Sequence, residues 1–171
     1  MKNPVIDNIK SRRSCRKYSA QQIPDSEMEV ILDAGIWAPS GRNTQNWKFV
    51  VVQKPDVLAR LNEAVKALQN RGSDYCCYYG APVLVLVCHI TGESLAPFDC
   101  ACALENMFLA AHSMGIASCW INQVGQLSGE PEIRGILTEL GIPENYSVYG
   151  CGAFGYADMV SVPPQRKEGT I

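Results

Sequence analysis

The sequence predicts a fold of the α/β or α+β class, with helices packed on a central sheet. Three observations favour it. Segments with helical periodicity alternate with short apolar segments typical of strands along the whole chain. The 171 residues fit a single domain over 1–171, and no internal repeat or low-complexity linker divides them. The broad apolar pattern over 99–114 predicts a central helix. The order of the strands is left open by these patterns.

The first half of the chain predicts three helices. Asn3 is expected to cap a helix that has proline at its first position and ends near Ser11. A second helix is predicted over 25–37, and a third is expected to begin at Pro55. Their apolar residues recur at helical spacing. These are Met28, Ile31, Leu32, Gly35 and Ile36 in the second helix, and Val57, Leu58, Leu61, Val65 and Leu68 in the third.

Four apolar segments predict strands. "WKFVVVQ" at 47–53 reads as a buried strand, and a second strand is expected over 82–89, with proline at its first position, where a strand tolerates it. A third strand is predicted over 116–122 and a last one over 146–156. The remaining pattern, "EPEIRGILTELG" at 130–141, predicts a helix stopped by Gly141. An irregular tail is expected from Ala157.

Composition excludes several classes of function. With 47% hydrophobic and 19% charged residues the chain is typical of a globular protein, and its net charge of −2 predicts neither nucleic-acid nor membrane affinity.

The N-terminus lacks an apolar signal region, and we expect a cytoplasmic protein. Eight cysteines without a secretory signal or a C-x-x-C pair favour reduced thiols. His89 and His112 lie in apolar stretches, so no metal site is expected.

The motif "GCGAFG" at 150–155 matches G-x-G-x-x-G, the fingerprint of dinucleotide-binding folds. That fingerprint binds a pyrophosphate only when a helix and a second strand follow it. Only sixteen residues follow Gly155, including the adjacent Pro163 and Pro164. We therefore expect these glycines to relieve crowding where the last strand passes close to other backbone or to a ligand.

Basic residues concentrate near both chain ends. "KSRRSCRKY" at 10–18 places arginines and a serine where they can converge on one dianion, and Arg forms bidentate bonds to phosphate oxygens. The alternative is that these cations only stabilise the C-terminus of the first helix, by about 0.3–1 kcal/mol each. The second cluster, "PPQRK", favours the anion: Arg166 lies in a proline-stiffened tail and has no obvious packing role. Two separated cationic segments suggest one shared anion.

Five segments together resemble the FMN-dependent nitroreductase family in its short form. They are "RRSCRKY" at 12–18, "APSGRNTQNWKFVVV" at 38–52, "GAPVLVLVC" at 80–88, "DCACALENMFLAAHSMGIASCWI" at 99–121 and "GYADMVSVPPQRK" at 155–167. The resemblance covers nearly the whole chain in the order of the family. It implies a three-layer α/β/α sandwich of the α+β class with a central mixed or antiparallel sheet, in a homodimer with two FMN sites.

The resemblance assigns cofactor-binding roles to three groups of residues. The first group would bind the FMN phosphate and consists of Arg12, Arg13, Ser14 and Arg166, while Arg16 would lie nearer the ribityl chain and the pyrimidine edge, where a cation stabilises charge on the reduced ring. The second group is a polar loop that lies against the flavin, often from the other subunit, and consists of Pro39, Ser40, Asn43 and Gln45. The third group is the strand end beside the reactive N5 and consists of Trp120, Ile121 and Asn122.

One residue departs from the family pattern. Members often have glycine where this chain has Asn122. Asparagine tolerates a left-handed backbone better than most residues, so the backbone contact with the flavin could survive. Its side chain would narrow the site and change which acceptor fits.

The resemblance implies an NAD(P)H-dependent oxidoreductase. A reduced nicotinamide would pass hydride to the flavin and leave, and a nitroaromatic, quinone or related electron-poor acceptor would then take its place, which is ping-pong turnover. No acid–base side chain is required, and Asp99 and Glu105 read as helix-start and surface carboxylates.

Three alternatives remain open. A thiol nucleophile could act at Cys15, which lies among the arginines, or at Cys119, beside the flavin strand. The chain could be a non-catalytic FMN-binding storage or sensor protein. It could also be a flavin-dependent dehalogenase on the same fold.

Overall fold

A computed structural model describes residues 3–170 as six helices, one 3₁₀ turn at Gly41–Asn43 and a four-stranded sheet in the order β1-β2-β4-β3. All neighbouring strands are antiparallel, which confirms the α+β class and decides between a mixed and an antiparallel sheet. The helices are α1 (Pro4–Ser11), α2 (Asp25–Ile36), α3 (Pro55–Leu68), α4 (Ala96–Ser113), α5 (Gln123–Gln126) and α6 (Pro131–Glu139). The strands are β1 (Trp47–Val52), β2 (Val83–Ile90), β3 (Ala117–Ile121) and β4 (Tyr146–Gly155).

Helices cover both faces of the sheet and form the three-layer sandwich. Successive side chains of a strand point to opposite faces. In β2, Val83, Val85 and Val87 therefore pack with α2 and α4, whereas Leu84 and Leu86 pack with α3 and α6. This double burial explains why the β2 sequence is apolar without alternation.

The sequence predicted most element boundaries within one or two residues. The Asn3 side chain accepts hydrogen bonds from the amides of Val5 (2.9 Å) and Ile6 (3.3 Å), which confirms the cap of α1. Helix α4 begins three residues before the predicted start, because Pro97 fits a first helical turn and does not interrupt it. The short helix α5 was not predicted, since four residues are too few to show a period.

Two predictions of burial were wrong. Strand β1 lies at the edge of the sheet, and only Val52 of its six residues is fully buried. Its continuous apolar sequence is that of a central strand, but a single neighbour leaves the other side uncovered. Ile36, expected on the buried face of α2, is 51% exposed because it lies in the last turn of the helix.

The three glycines of "GCGAFG" make room for side chains inside the protein. A Cβ atom at Gly150 would lie 2.6 Å from the Trp120 ring, and one at Gly155 would lie 2.7 Å from the ring of Pro82. No helix follows β4 within the described chain, so the dinucleotide-binding interpretation fails as expected. The prediction of crowding is confirmed, but the crowding atoms belong to side chains and not to backbone or a ligand.

Candidate functional site

The N-terminal and C-terminal segments lie side by side. Tyr18 pairs with Ala157 in an antiparallel bridge, and the Ser19 amide donates to the Tyr156 carbonyl at 2.9 Å. The Lys17 ammonium group lies 2.8 Å from the carboxylate of Asp158. The two basic segments of the sequence therefore begin from the same edge of the fold.

A cleft of about 300 Å³ opens where these segments meet. Its walls come from the end of α1, the end of α4, the start of β3 and the tail. The residues that line it include Ser11, Arg12, Arg13, Cys15, His112, Ser118, Ala157, Met159 and Ser161. Its volume is at the lower end of the range for ligand pockets, about 300–1,000 Å³.

Two polar atoms in this cleft are buried without a hydrogen-bond partner. They are Nε of Arg13 and Oγ of Ser118. A buried donor without an acceptor costs about 1–3 kcal/mol, so these atoms favour a ligand that brings oxygens. The Nη1 atom of Arg13 donates to the carbonyls of Lys10 (2.7 Å) and Arg12 (2.6 Å). Arg13 thus caps the C-terminal end of α1 with Nη1, and its Nε atom remains without a protein partner and could donate to an anion.

Arg12 reaches from α1 onto α4. Its guanidinium group lies 5.8 Å from the ring centroid of Phe108, and its Nε atom lies 3.9 Å from the carboxylate of Glu105. These contacts point the cation along α4. The pKa of His112 is lowered, mainly by burial and in addition by the positive charges of Arg12 and Arg13.

Ser14 and Arg16 lie next to the cleft on the segment that follows α1. Ser14 pairs with Ser118 in a parallel bridge, which brings this segment against β3. Arg16 is exposed, and its guanidinium group lies 5.9 Å from the ring centroid of Tyr79. A hydrogen bond with Tyr79, followed by the charge of Cys119, raises the pKa of Arg16, which keeps it cationic.

The predicted polar loop lies away from the arginines. The Gly41 amide donates to Asp99 in the first turn of α4, at 2.9 Å, whereas Ser11 at the end of α1 lies 2.8 Å from the ring nitrogen of His112, in its last turn. Thirteen residues separate Asp99 from His112, or about 20 Å of helix. The fold of one chain therefore does not bring Ser40, Asn43 and Gln45 to the arginine cleft. Pro39 is exposed beside them.

The strand-end residues divide between the two faces of β3. The Trp120 ring packs edge-on against Phe108 with centroids 6.5 Å apart, and its Nε1 atom donates to Oδ1 of Asn122. Ile121 is 1% exposed and packs in the core below α3 and α6, so only its backbone is free to face a ligand. Asn122 has φ −95° and ψ −30°. Asn122 therefore does not use the left-handed backbone that asparagine tolerates, and it lies at the N-cap position directly before α5.

Arg166 is not part of the cleft wall, which ends at Ser161. It lies exposed in the irregular tail that follows Ala157. Val160 and Val162 of the same tail are 90% and 82% exposed. The predicted meeting of the chain ends is therefore present, but the terminal arginine itself does not contact the other cations within one chain.

Sequence reasoning missed Ser118 and Tyr79. Ser118 follows Ala117 in an apolar strand, and its only signal was a hydroxyl group among buried residues. Tyr79 has φ 57° in the loop before β2, and a left-handed backbone is not expected for tyrosine from the sequence.

The two cysteines considered as nucleophiles, Cys15 and Cys119, are both buried. Cys15 is 2% exposed, and its thiol donates to the Lys17 carbonyl at 3.0 Å. Burial raises the pKa of Cys119, and the nearby cation of Arg16 opposes this only in part. All eight cysteines are free thiols. Among residues 3–170 no cluster of three metal-ligating side chains occurs, and no helix is long and apolar enough to cross a membrane.

Comparisons with known proteins identify the family of this chain. A family model described as the nitroreductase family matches residues 9–76 and 73–156. A protein of Archaeoglobus fulgidus with the provisional name NADH dehydrogenase/NAD(P)H nitroreductase is 36% identical over 153 residues, which cover 86% of this chain and 82% of that protein.

Two solved structures superimpose on nearly the whole chain. A Bacteroides fragilis nitroreductase with bound FMN gives a TM-score of 0.94 at 46% identity and covers 99% of this chain and 98% of that one. A Desulfitobacterium hafniense nitroreductase with bound FMN gives 0.91 at 26% identity, with coverage of 100% and 98%.

Proposed function

The chain belongs to the nitroreductase family, and we propose that it is an NAD(P)H-dependent oxidoreductase that uses FMN to reduce nitroaromatic, quinone or related electron-poor acceptors. The observation that carries this proposal is the cleft between the chain ends. Its unpartnered buried atoms, Nε of Arg13 and Oγ of Ser118, belong to residues that lie where two arginines and the start of β3 meet. The donor set is that of a phosphate site.

Arg12, Arg13, Ser14 and Ser118 would hold the phosphate of FMN. Arg13 is oriented by its bonds to two backbone carbonyls, and Arg12 by Phe108 and Glu105. Side chains fixed in this way lose little freedom when they bind, so their charge-assisted bonds retain most of their value, about 1.5–3 kcal/mol each.

FMN held by these residues would supply the redox chemistry, the transfer of electrons from NAD(P)H to the second substrate in ping-pong order. The side chains of this protein bind and orient. Arg16, stacked on Tyr79, would place a permanent positive charge at the pyrimidine edge and stabilise the negative charge that develops there. Trp120 and Asn122 would form the wall beside which both substrates stack.

We propose that a homodimer completes the site. The polar loop lies at the other end of α4 from the arginine cleft, about 20 Å along the helix, and this separation favours a second copy as the source of the loop that contacts the flavin. Several large apolar side chains are also exposed, and two of them, Val5 and Ile9, line one groove with Leu109 of α4. The exposed side chains include Val5 (64%), Ile9 (47%), Trp37 (79%), Phe98 (66%) and Val160 (90%).

The same assembly accounts for Arg166. The part of the tail beyond Ser161 is exposed in its own chain and can lie across a partner, where its cation can reach a phosphate that it does not reach within one chain. On this proposal both ends of the chain contribute to binding, but from different copies.

Anaerobic spectroscopy tests the proposal. The purified protein should be yellow with about one FMN per chain, and NADH or NADPH should bleach it in the absence of oxygen. A nitroaromatic or a quinone should then restore the colour. A yellow protein that neither cofactor bleaches would be a storage or sensor protein, and recovery with a halogenated phenol alone would indicate a dehalogenase.

A further inference from the structure

The polar loop at 39–46 has a strained backbone. Three of its residues other than glycine have positive φ: Arg42 (55°), Asn43 (57°) and Gln45 (51°). Such conformations cost free energy and persist only where the surroundings impose them. Something in the fold must therefore hold this loop.

Part of the restraint is internal. The Asn43 amide donates to the Ser40 carbonyl at 2.9 Å, the Gln45 amide donates to the Ser40 hydroxyl at 3.2 Å, and the Gln45 side-chain amide donates to Oδ1 of Asn43 at 2.9 Å. These bonds shape the loop but do not fix it to the rest of the protein.

A single buried side chain provides the external restraint. Oδ1 of Asp99 accepts a hydrogen bond from the Gly41 amide at 2.9 Å. Among the residues described, this is the one hydrogen bond that joins 39–46 to another part of the chain. Leu95 packs on the same point, since a Cβ atom at Gly41 would lie 2.3 Å from its side chain. The loop is thus fixed at the start of α4.

The Asp99 carboxyl group is buried next to a residue of the central sheet. It is 6% exposed, and its Oδ2 atom lies 3.8 Å from Nε2 of His89, a residue of β2 that is 2% exposed. Nε2 of His89 has no hydrogen-bond partner, and the Asp99 carboxyl group is a polar group close to it. The His89 ring packs edge-on against Tyr149, with centroids 6.4 Å apart. The central sheet, α4 and the loop are therefore connected through one carboxyl group.

We infer that Asp99 is a positioning residue for the flavin site: by holding the Gly41 amide, it keeps Ser40, Asn43 and Gln45 in the geometry that contacts the flavin ring. This inference rests on the proposed function, which assigns the loop to the flavin. The proposed role of Asp99 is exerted through its hydrogen bond to the loop.

The test compares Asp99→Ala with Asp99→Asn, which keeps an acceptor oxygen for Gly41. Amide hydrogen exchange of residues 41–45 is measured in the FMN-free protein, and FMN affinity by titration of the same samples. Asp99→Ala should raise exchange at these amides and weaken FMN binding by about 10-fold or more, the effect of one lost hydrogen bond to a charged group. Asp99→Asn should restore most of both. Asp56→Ala removes an exposed carboxylate from the first turn of α3 and should change neither.

The outcomes separate this inference from the proposed function. Unchanged exchange at 41–45 in folded Asp99→Ala would overturn the anchor, and raised exchange with unchanged FMN affinity would overturn its role in the flavin site. Wild-type protein that binds no FMN would overturn the proposed function and with it the flavin role, while exchange alone would still decide whether Asp99 holds the loop.

Discussion

The guanidinium group of Arg16 lies over the ring of Tyr79, 5.9 Å from its centroid, and Tyr79 occupies a left-handed backbone conformation with φ 57°. An exposed cation–π contact contributes only about 0.5–1 kcal/mol, so stability does not explain the arrangement. Its effect is directional. A long flexible cation is held on one side of the cleft, where charge can act on a bound flavin.

Replacing this cation should change the reduction potential of the flavin. In Arg16→Ala the midpoint potential of bound FMN should fall by about 30 mV or more, which for two electrons is about 1.4 kcal/mol. Arg16→Lys keeps the positive charge, so the midpoint potential of its bound FMN should fall less. Arg71→Ala is the matched control, because Arg71 also stacks on a tyrosine, 5.3 Å from the Tyr75 centroid. An unchanged potential in Arg16→Ala would exclude the proposed role.

Removing cations from both chain ends should abolish cofactor retention. The double variant Arg12→Ala/Arg166→Ala should be folded and colourless, because two charge-assisted bonds to the phosphate are lost. Absorbance at the flavin maximum measures retention, and circular dichroism checks the fold. A matched double variant, Arg60→Ala/Lys66→Ala, removes two cations from α3 and should stay yellow. Stoichiometric FMN in the first variant would contradict the phosphate assignment.

Charges on the exposed face of α1 should separate the proposed dimer. Val5 and Ile9 line a groove between α1 and α4 together with Leu109. Val5→Lys/Ile9→Lys should elute as a monomer in light-scattering chromatography and lose FMN, because the polar loop would no longer come from a partner. Glu132→Lys on α6 changes charge elsewhere and should remain dimeric. A monomeric variant that retains full FMN would show that one chain suffices.

Asn122 should restrict the acceptor. Its side chain is held against Trp120, whose indole nitrogen donates to it. Asn122→Gly removes this wall, and the KM for bulky nitroaromatics or quinones should fall several-fold while the KM for small ones changes little. Gln126→Gly, at the end of the same short helix, controls for helix weakening. Equal effects on large and small acceptors would contradict a steric role.

Buried thiols should make the protein less stable at alkaline pH. Burial raises the pKa of Cys77, Cys88 and Cys100 to about 12, whereas thiols of the unfolded chain ionise near pH 8.5. Above pH 9 the unfolded chain therefore binds fewer protons than the folded one, so the free energy of unfolding falls by up to about 1.4 kcal/mol per pH unit and thiol. Urea unfolding at pH 8, 9 and 10 measures this slope.

Two cysteine variants decide whether thiols cause the alkaline loss. Cys88→Ala should show a shallower decline than the wild type, whatever its stability at pH 8. Cys102→Ala removes an exposed thiol from α4 and should leave the slope unchanged. Equal slopes in all three proteins would assign the loss to other groups.

Much of the fold followed from local patterns. The cap by Asn3, the 3.6-residue periods of α2, α3 and α4 and the apolar β2 each occupy a short stretch of sequence, so the pattern reveals them directly. The exposure of β1 did not follow, because its sequence resembles that of a central strand and only its place in the sheet leaves one side open. The contact between Asp99 and Gly41 joins residues 58 positions apart and has no local signal.

The sequence by itself was enough to propose which residues bind the cofactor: Arg12, Arg13 and Arg16 near one end, amides in the loop and Trp120 on a strand. Only the tertiary structure decided which of them meet. Packing along α4 brings Arg12 and Arg13 to Ser118 and leaves the loop at the far end, near Asp99. Residue type and period are properties of neighbours in the chain, whereas these distances are set by how helices lie on a sheet, which no short segment encodes.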